Sequence, residues 1–218
     1  MLPEDQASYP PLTATLKDGR SVRLRLISVA DTSALSDFYA SLPRETWRFY
    51  CPPRLTHEDA VRRAAEAEAP TVVCLVAEEP WSGAIVGYAW YRWRDEGEQP
   101  GGSRQPSDSR QPSGSELPSD SGLLSGTAQS SIFGICLREA YRGAGLGQAL
   151  IARLLEIARA VGPPVMALTV QLANPRAVAL YQKMGFRIVR EQMREAIGDF
   201  VAEPEYAMEQ VVRRAQPH

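Results

Sequence analysis

Residues 131–147, SIFGICLREAYRGAGLG, join an apolar run to a glycine-rich turn. Residues 131–137 contain no charged side chain, which is typical of a short buried β-strand. From Leu146 an apolar residue recurs every three or four positions through Val161, as expected for an amphipathic helix that ends before Gly162. The sequence therefore predicts strand, glycine turn and helix in direct succession.

The glycine turn has the composition of an anion-binding site. Residues 142–147, RGAGLG, place three glycines at alternate positions, where positive φ angles and close approach of a phosphate cost little. The first turn of the helix adds roughly half a positive charge, and Arg142 adds a cation at the rim. We predict that this turn binds a pyrophosphate; the alternative is that its glycines only turn the chain.

The segments on either side of this unit predict an α/β fold with a mixed central sheet. Alternating or β-branched residues predict strands at 21–27, 71–77, 84–94, 165–170, 186–190 and 206–212, with 71–77 and 84–94 as a hairpin. Helices are expected from Asp31 through Leu42, over 60–67 after the capping pair Thr56 and Asp59, and over 174–184 with Ala177, Leu180, Tyr181 and Met184 inward.

Residues 95–130 form a low-complexity segment. Ser, Gly and Pro dominate it, and Pro100, Pro106, Pro112 and Pro118 follow one another at intervals of six residues. Such a segment buries too little apolar surface to offset an ordering entropy of ~1–2 kcal/mol per residue, so we expect a disordered insertion between two strands. The whole chain, 1–218, is expected to form a single domain with its core at about 20–212.

Composition argues against several functional classes. With 24 Lys and Arg against 26 Asp and Glu, the formal net charge of -2 gives no attraction to nucleic acid. Cys51, Cys74 and Cys136 lie far apart in apolar settings and are expected to be buried, reduced thiols. His57 and His218 are too few and too far apart for a metal site. Without a signal peptide or a membrane segment in the sequence, we expect a cytoplasmic protein with no membrane contact.

Two motifs in the second half of the chain resemble one known family. Arg142-x-x-Gly145-x-Gly147 resembles the acetyl-CoA signature of the GCN5-related N-acetyltransferase (GNAT) superfamily. Residues 174–186, NPRAVALYQKMGF, are similar to its N-x-x-A-x-x-L-Y-x-K-x-G-F segment at every fixed position. The resemblance implies a mixed, mostly antiparallel sheet flanked by about four helices, with the insertion between the third and fourth strands.

The resemblance also implies an activity and a set of site residues. It implies that an acyl group passes from acetyl-CoA to a primary amine by direct attack, without a metal. Backbone groups of Cys136 and Leu137 are expected to pair with the pantetheine arm, Asn174 to contact it, and Tyr181 to donate a proton to the leaving thiolate. The implied pyrophosphate site comprises Arg142, Gly143, Ala144, Gly145, Leu146 and Gly147.

Each of these roles has a structural alternative. Tyr181 could only fill the core at the helical spacing of Ala177 and Leu180, and Asn174 could be a helix N-cap, which does not exclude ligand contact. Cys136 as a nucleophile is disfavoured, because its apolar strand offers no histidine to activate it.

The general base and the acceptor are left open by the resemblance. Many relatives carry a glutamate on the strand before the glycine turn, whereas residues 131–137 contain no carboxylate. The proton can leave through water, or through Glu78, Glu79 or Glu191. Glu139 occupies a position where relatives often have proline. This difference is expected to leave the glycine turn intact. Residues 38–49 resemble the acceptor-side segment of GNAT domains that acetylate protein lysines. Protein lysine is therefore one candidate acceptor, and small amines, amino acids and antibiotics are the others.

Two other functions are considered. The missing strand carboxylate favours a sensor or scaffold that binds acyl-CoA without turnover, and Tyr181 opposes it. A nucleotide-binding regulator is disfavoured, because the glycine spacing is not the dinucleotide G-x-G-x-x-G and no G-K-[ST] follows. A monomer or a homodimer is expected.

Overall fold

The protein is described by a computed structural model that covers residues 8–49, 55–66, 68–93, 130–196 and 200–212. The expected disordered insertion falls, apart from Ser130, outside these residues, and so do Cys51 and His218. Within these ranges, no helix has both the length and the apolar character needed to cross a membrane.

A single mixed sheet forms the centre of the fold. Its strands follow the spatial order β1-β2-β3-β4-β5-β6-β8-β7, and all neighbours are antiparallel except β5 and β6, which are parallel. This confirms the expected α/β class with a mostly antiparallel sheet. The strands are β1 Leu12–Thr15, β2 Ser21–Leu26, β3 Val72–Glu78, β4 Ile85–Trp93, β5 Ser130–Leu137, β6 Val165–Gln171, β7 Arg187–Arg194 and β8 Glu203–Val211.

Helices cover both faces of the sheet, and each face has its own core. One cluster of buried side chains joins the sheet to the long helix that follows the glycine turn, through Leu146, Leu150 and Leu154. The other joins the opposite face to the first helix, through Leu35 and Phe38. The described helices are α1 Thr32–Ala40, α2 Arg44–Trp47, α3 His57–Glu66, α4 Leu146–Val161 and α5 Pro175–Lys183.

Two of the expected helix starts have different outcomes. Thr56 and Asp59 form the expected capping box before α3: Thr56 N donates to Asp59 Oδ2 at 3.0 Å, and Asp59 N donates to Thr56 Oγ1 at 3.2 Å. Asp31 occupies the N-cap position of α1, as expected, but its side chain makes no capping hydrogen bond. Its carboxylate instead accepts two hydrogen bonds of 2.7 Å from Arg25 and one of 2.8 Å from Ser28 N.

Two elements are not foreseen from the sequence. The edge strand β1 is exposed along most of its length, so its residues show little of the apolar alternation that marks a strand. Because β1 adds a strand at the start, the insertion lies between β4 and β5 rather than between the third and fourth strands. Helix α2 is a single turn of four residues after Pro43.

A cleft opens in the sheet between β5 and β6. The two strands pair only at residues 130–132 of β5 with residues 165–167 of β6, while β5 stays paired with β4 through Leu137. Beyond Ile132, one edge of β5 therefore has no neighbouring strand among the residues that the structure describes. The glycine turn follows the end of β5, and α5 follows the end of β6, so both implied ligand-binding motifs lie at the open end of this cleft.

Candidate active site

The glycine turn presents a group of unpaired amides. Gly143 and Gly145 have φ angles of +79° and +94°, which a residue with a side chain rarely adopts. In the described residues, the first backbone hydrogen bond entering α4 runs from Ala149 N to Gly145 O at 3.1 Å. The amides of residues 146–148 therefore have no backbone acceptor there and can bind an anion.

Gly147 also has a packing role that the sequence did not indicate. It lies inside α4, and its φ is not positive. A Cβ at this position would lie 3.0 Å from Leu180 Cδ2 and 3.4 Å from Leu137 Cδ1. The absence of a side chain therefore lets α5 pack closely against the start of α4, and only its amide is available to a phosphate.

Lys17, in the turn between β1 and β2, lies against the glycine turn. Its backbone N–H donates to Ala144 O at 2.9 Å, and its Cγ lies 3.6 Å from the position that a Cβ of Gly145 would occupy. The exposed Lys17 side chain thus places a second cation, after Arg142, beside the glycine turn. Sequence reasoning missed it, because a lysine so far away along the chain carries no local signal.

Arg142 contacts the opposite side of the cleft from Lys17. Its Nη2 donates to Thr46 Oγ1 in α2 at 2.7 Å. Its backbone N–H donates to Glu139 O at 3.0 Å. Arg142 therefore joins the glycine turn to the segment whose sequence resembles an acceptor-side wall.

The free edge of β5 is formed by alternate residues. Arg138 N donates to Val86 O at 2.9 Å, and in an antiparallel pair every second residue bonds to the neighbouring strand. The backbone polar groups of Cys136 therefore point towards Tyr88 of β4. Those of Ile135 and Leu137 point towards the cleft. The expectation that the Cys136 backbone pairs with a ligand is therefore corrected. Ile135 takes its place beside Leu137.

The thiols at 74 and 136 are buried and free, as expected. Burial raises the pKa of Cys136 to about 12, against smaller lowering effects of Arg142 and the Leu137 N–H. Cys136 is therefore protonated at neutral pH, which argues against a nucleophilic role. In the described ranges, no group of three or more His, Cys, Asp or Glu could hold a metal ion.

Tyr181 lies beside the unpaired part of β5. Its ring is in edge contact with Phe133 and with Phe186, each at a centroid distance of 5.9 Å, and the residue is 8% exposed. Burial raises the pKa of its phenol, with a smaller contribution from Cys136. The ring fills the core as the structural alternative expected, and the hydroxyl is a proton donor at neutral pH.

Asn174 is the N-cap of α5. Its side-chain oxygen accepts a hydrogen bond from Ala177 N at 3.3 Å, and Pro175 occupies the first helical position. The residue is only partly buried and follows the end of β6 at the open end of the cleft. The cap therefore holds Asn174 where a ligand in the cleft can reach it.

The three acids considered as general bases are poorly suited to that role. Glu78 accepts a hydrogen bond of 2.6 Å from Arg25 and lies 3.4 Å from Arg23. Glu79 accepts hydrogen bonds from the Tyr141 and Ser82 hydroxyls, which hold its pKa below the usual value. Glu191 is exposed on β7, opposite Tyr206. A base must come from elsewhere in the cleft or from water.

Comparison with known proteins agrees with this geometry. The family model described as "Acetyltransferase (GNAT) family" matches residues 34–186. An uncharacterized N-acetyltransferase, YdgE, of Bacillus subtilis is 41% identical over 69 residues, which are 32% of this chain and 44% of that protein. A glucosamine 6-phosphate N-acetyltransferase of Trypanosoma brucei brucei is 39% identical over 69 residues, 32% of this chain and 45% of that protein. The chain thus spans under half the length of these curated relatives.

Solved structures share the fold at low sequence identity. The GNAT domain of S. lividans PAT superposes with a TM-score of 0.65 at 20% identity, over 93% of this chain and 99% of that one. The acetyltransferase yncA of Salmonella typhimurium, described as putative and solved with acetyl-CoA, gives a TM-score of 0.63 at 18% identity over 90% of this chain and 98% of that one. These similarities concern the fold.

Proposed function

Because the chain belongs to the acetyltransferase (GNAT) family, we propose that it transfers an acyl group from acetyl-CoA to a primary amine. The observation that carries the proposal is the combination of an anion-binding turn and an open strand edge at one cleft. The amides of residues 146–148 have no backbone acceptor in the described chain, and β5 has no neighbour beside Ile135 and Leu137. A diphosphate fits the first feature and an amide-containing arm fits the second.

Acetyl-CoA is held in this proposal by groups of the chain's own backbone and two cations. The pyrophosphate lies at the turn, where Gly143 and Gly145 allow close approach and the amides of Leu146 and Gly147 donate to it. Lys17 and Arg142 balance its charge. The pantetheine amides pair with Ile135 and Leu137 as an added strand would, next to the side chain of Asn174.

The chemical step is a direct attack of the neutral amine on the thioester carbon. A backbone N–H of the open β5 edge polarises the thioester oxygen. The carbon–nitrogen bond forms, the carbon–sulfur bond breaks, and Tyr181 donates its phenol proton to the departing sulfur. Burial raises the pKa of the phenol and so keeps Tyr181 in the protonated form from which it donates.

The acceptor lies on the α1–α3 side of the sheet in this proposal. Residues 44–48 cross the cleft there: Thr46 Oγ1 accepts a hydrogen bond from Arg142 beside β5, and Arg48 forms an ion pair with Glu203 of β8 at 2.5 Å. Protein lysine and small amines are both candidates for the acceptor.

A sensor that binds acyl-CoA without turnover is the second candidate, favoured by the absence of a carboxylate from residues 131–137. Two measurements distinguish these functions. Calorimetry measures CoA binding, and a thiol assay measures CoA release from acetyl-CoA across a panel of amino acids, polyamines, amino sugars and lysine peptides. We expect CoA binding and amine-dependent thiol release. CoA binding without thiol release for any amine would favour the sensor, and absence of both would contradict the proposal.

A further inference from the structure

Two buried acids of β8 face the acceptor side of the sheet. Glu203 and Glu205 are 8% and 4% exposed. They alternate with Tyr206 and Met208, which pack towards α4 and α5, so strand geometry directs both acids to the opposite face. That is the face crossed by residues 44–48.

The two acids differ in their partners. Glu203 lies 2.5 Å from Arg48 Nη2 and 3.7 Å from Arg194 Nη2, so two cations surround it. Glu205 Oε1 accepts one hydrogen bond, from Gln192 Nε2 at 2.8 Å. In the part of the chain that the structure describes, Glu205 forms no ion pair with a Lys, Arg or His side chain.

A carboxylate in the position of Glu205 is costly without a cation. Burying a charged group away from water is unfavourable unless a charged or hydrogen-bonding partner compensates for the lost hydration. The single bond from Gln192 uses one oxygen and leaves Oε2 available. A cationic ligand that enters this side of the sheet therefore gains a partner there.

Strand register places Glu205 close to the cleft. Glu205 lies opposite Gln171, the last residue of β6, and neighbouring strands are about 4.8 Å apart. The last β5–β6 pair is Ile132 with Ala167. Cys136 and Gln171 each lie four residues further along their strands, so they lie at the same height on the two sides of the cleft. Glu205 is thus one strand away from the point where β5 and β6 have separated.

We propose that Glu205 binds the protonated acceptor amine and takes its first proton, an inference that rests on the proposed acyltransferase function. The amine arrives as an ammonium group and must lose a proton before it can attack. Glu205 accepts that proton directly or through one water. The neutral nitrogen attacks the thioester carbon, and its second proton passes to Tyr181 as Tyr181 protonates the sulfur. Glu205 then releases its proton to solvent, so that one amide, one thiol and one proton are formed.

This assignment makes the acceptor a cationic amine rather than an anilinic or amide nitrogen. The ammonium of a lysine side chain, a polyamine or an amino sugar satisfies Glu205, whereas a neutral nitrogen leaves the buried carboxylate unpaired. Glu205 also replaces the missing carboxylate of β5, since it acts from the other side of the same cleft.

The test compares Glu205→Gln with Glu209→Gln, an exposed acid on the same strand and the same face. The amine with the highest turnover in the panel serves as the substrate, and CoA affinity is measured by calorimetry. Glutamine at 205 can still accept the hydrogen bond from Gln192. We expect Glu205→Gln to lower kcat/KM for the amine about 100-fold, with CoA affinity within twofold of the wild type, and Glu209→Gln to match the wild type.

Glu205→Asp provides a second variant, which tests the carboxylate itself. It retains a carboxylate, so we expect at least ten times the activity of Glu205→Gln. Equal activity of the Asp and Gln variants, or wild-type activity of Glu205→Gln, would overturn the assignment and leave the acyltransferase function standing. A wild-type protein that releases no thiol with any amine would overturn both.

Discussion

Arg142 Nη2 donates a hydrogen bond of 2.7 Å to Thr46 Oγ1, which links the glycine turn to α2. The turn lies where the sheet opens after β5, and two residues beyond Thr46 the chain forms an ion pair with Glu203 on β8. The proposed anion site and the proposed wall of the acceptor site are therefore in direct contact. A ligand at the turn can draw the Arg142 guanidinium towards its phosphates at the expense of the bond to Thr46.

Replacing Arg142 tests its part in CoA binding. Arg142→Ala removes one cation beside the pyrophosphate, and we expect CoA affinity to fall about tenfold, equivalent to about 1.4 kcal/mol. Arg159→Ala, at an exposed position near the far end of α4, is the matched control and should leave affinity unchanged. Calorimetric titration with CoA measures both variants, and equal affinities would remove Arg142 from the site.

Lys17 provides a second and independent cation. Lys17→Ala keeps the backbone bond to Ala144 and so preserves the turn. We expect CoA affinity to fall several-fold at low salt, and less at high salt because exposed charges are screened. Titrations with CoA and with dephospho-CoA show which phosphate Lys17 contacts. If it contacts the pyrophosphate, both ligands lose affinity. If it contacts the 3′-phosphate, only CoA loses affinity. No loss for either ligand would contradict the role.

Tyr181→Phe separates catalysis from packing. The phenylalanine ring can keep the edge contacts with Phe133 and Phe186, so stability and CoA affinity should change little. Loss of the phenol proton should lower kcat by about 100-fold or more, the usual contribution of a general acid. Steady-state thiol release measures the effect, and a wild-type kcat would leave Tyr181 as a core residue alone.

Asp31 should make the stability of the protein sensitive to acid. Burial acts to raise its pKa, but hydrogen bonds from Arg25 and Ser28 outweigh that effect and hold the pKa below its ordinary value of 3.8. The ionised form is therefore stabilised by folding, and its contribution is present above pH 3.8 and is lost as the pH falls through the lowered pKa.

The matching experiment compares Asp31→Asn with Asp37→Asn, an exposed acid on α1. We expect Asp31→Asn to lower the free energy of unfolding by about 1–3 kcal/mol at pH 7, because Arg25 loses one of its two charged partners and keeps only Glu78. The difference from the wild type should shrink below pH 3.8. Denaturant unfolding across this range measures it. A difference that stays constant with pH would exclude the coupling.

The elements with strong local patterns were predictable from the sequence. Helix α4 has an apolar stripe, the β3–β4 hairpin has β-branched and aromatic runs, and the α3 cap is the local pair Thr56 and Asp59. The positive φ angles of Gly143 and Gly145 also followed from the glycine pattern. Each of these features depends on residues close together in the chain.

The features that were missed depend on distant contacts. The close packing of Leu180 against Gly147 could not be predicted, because nothing in the local sequence indicates it. Lys17 reaches the turn only through the hydrogen bond to Ala144. Glu205 becomes a neighbour of the cleft because β8 pairs with both β6 and β7, an arrangement that no local pattern encodes.

The most direct test of the account is CoA binding by Gly145→Asp, measured beside Gly83→Asp. Both glycines have positive φ angles, +94° and +69°, so both substitutions strain the backbone, but only Gly145 lies at the start of α4, and Gly83 is in the β3–β4 turn. We expect Gly145→Asp to abolish CoA binding by placing a carboxylate at the pyrophosphate site, while Gly83→Asp binds as the wild type does. Retained CoA affinity in a folded Gly145→Asp protein would contradict the central claim that this turn holds the diphosphate.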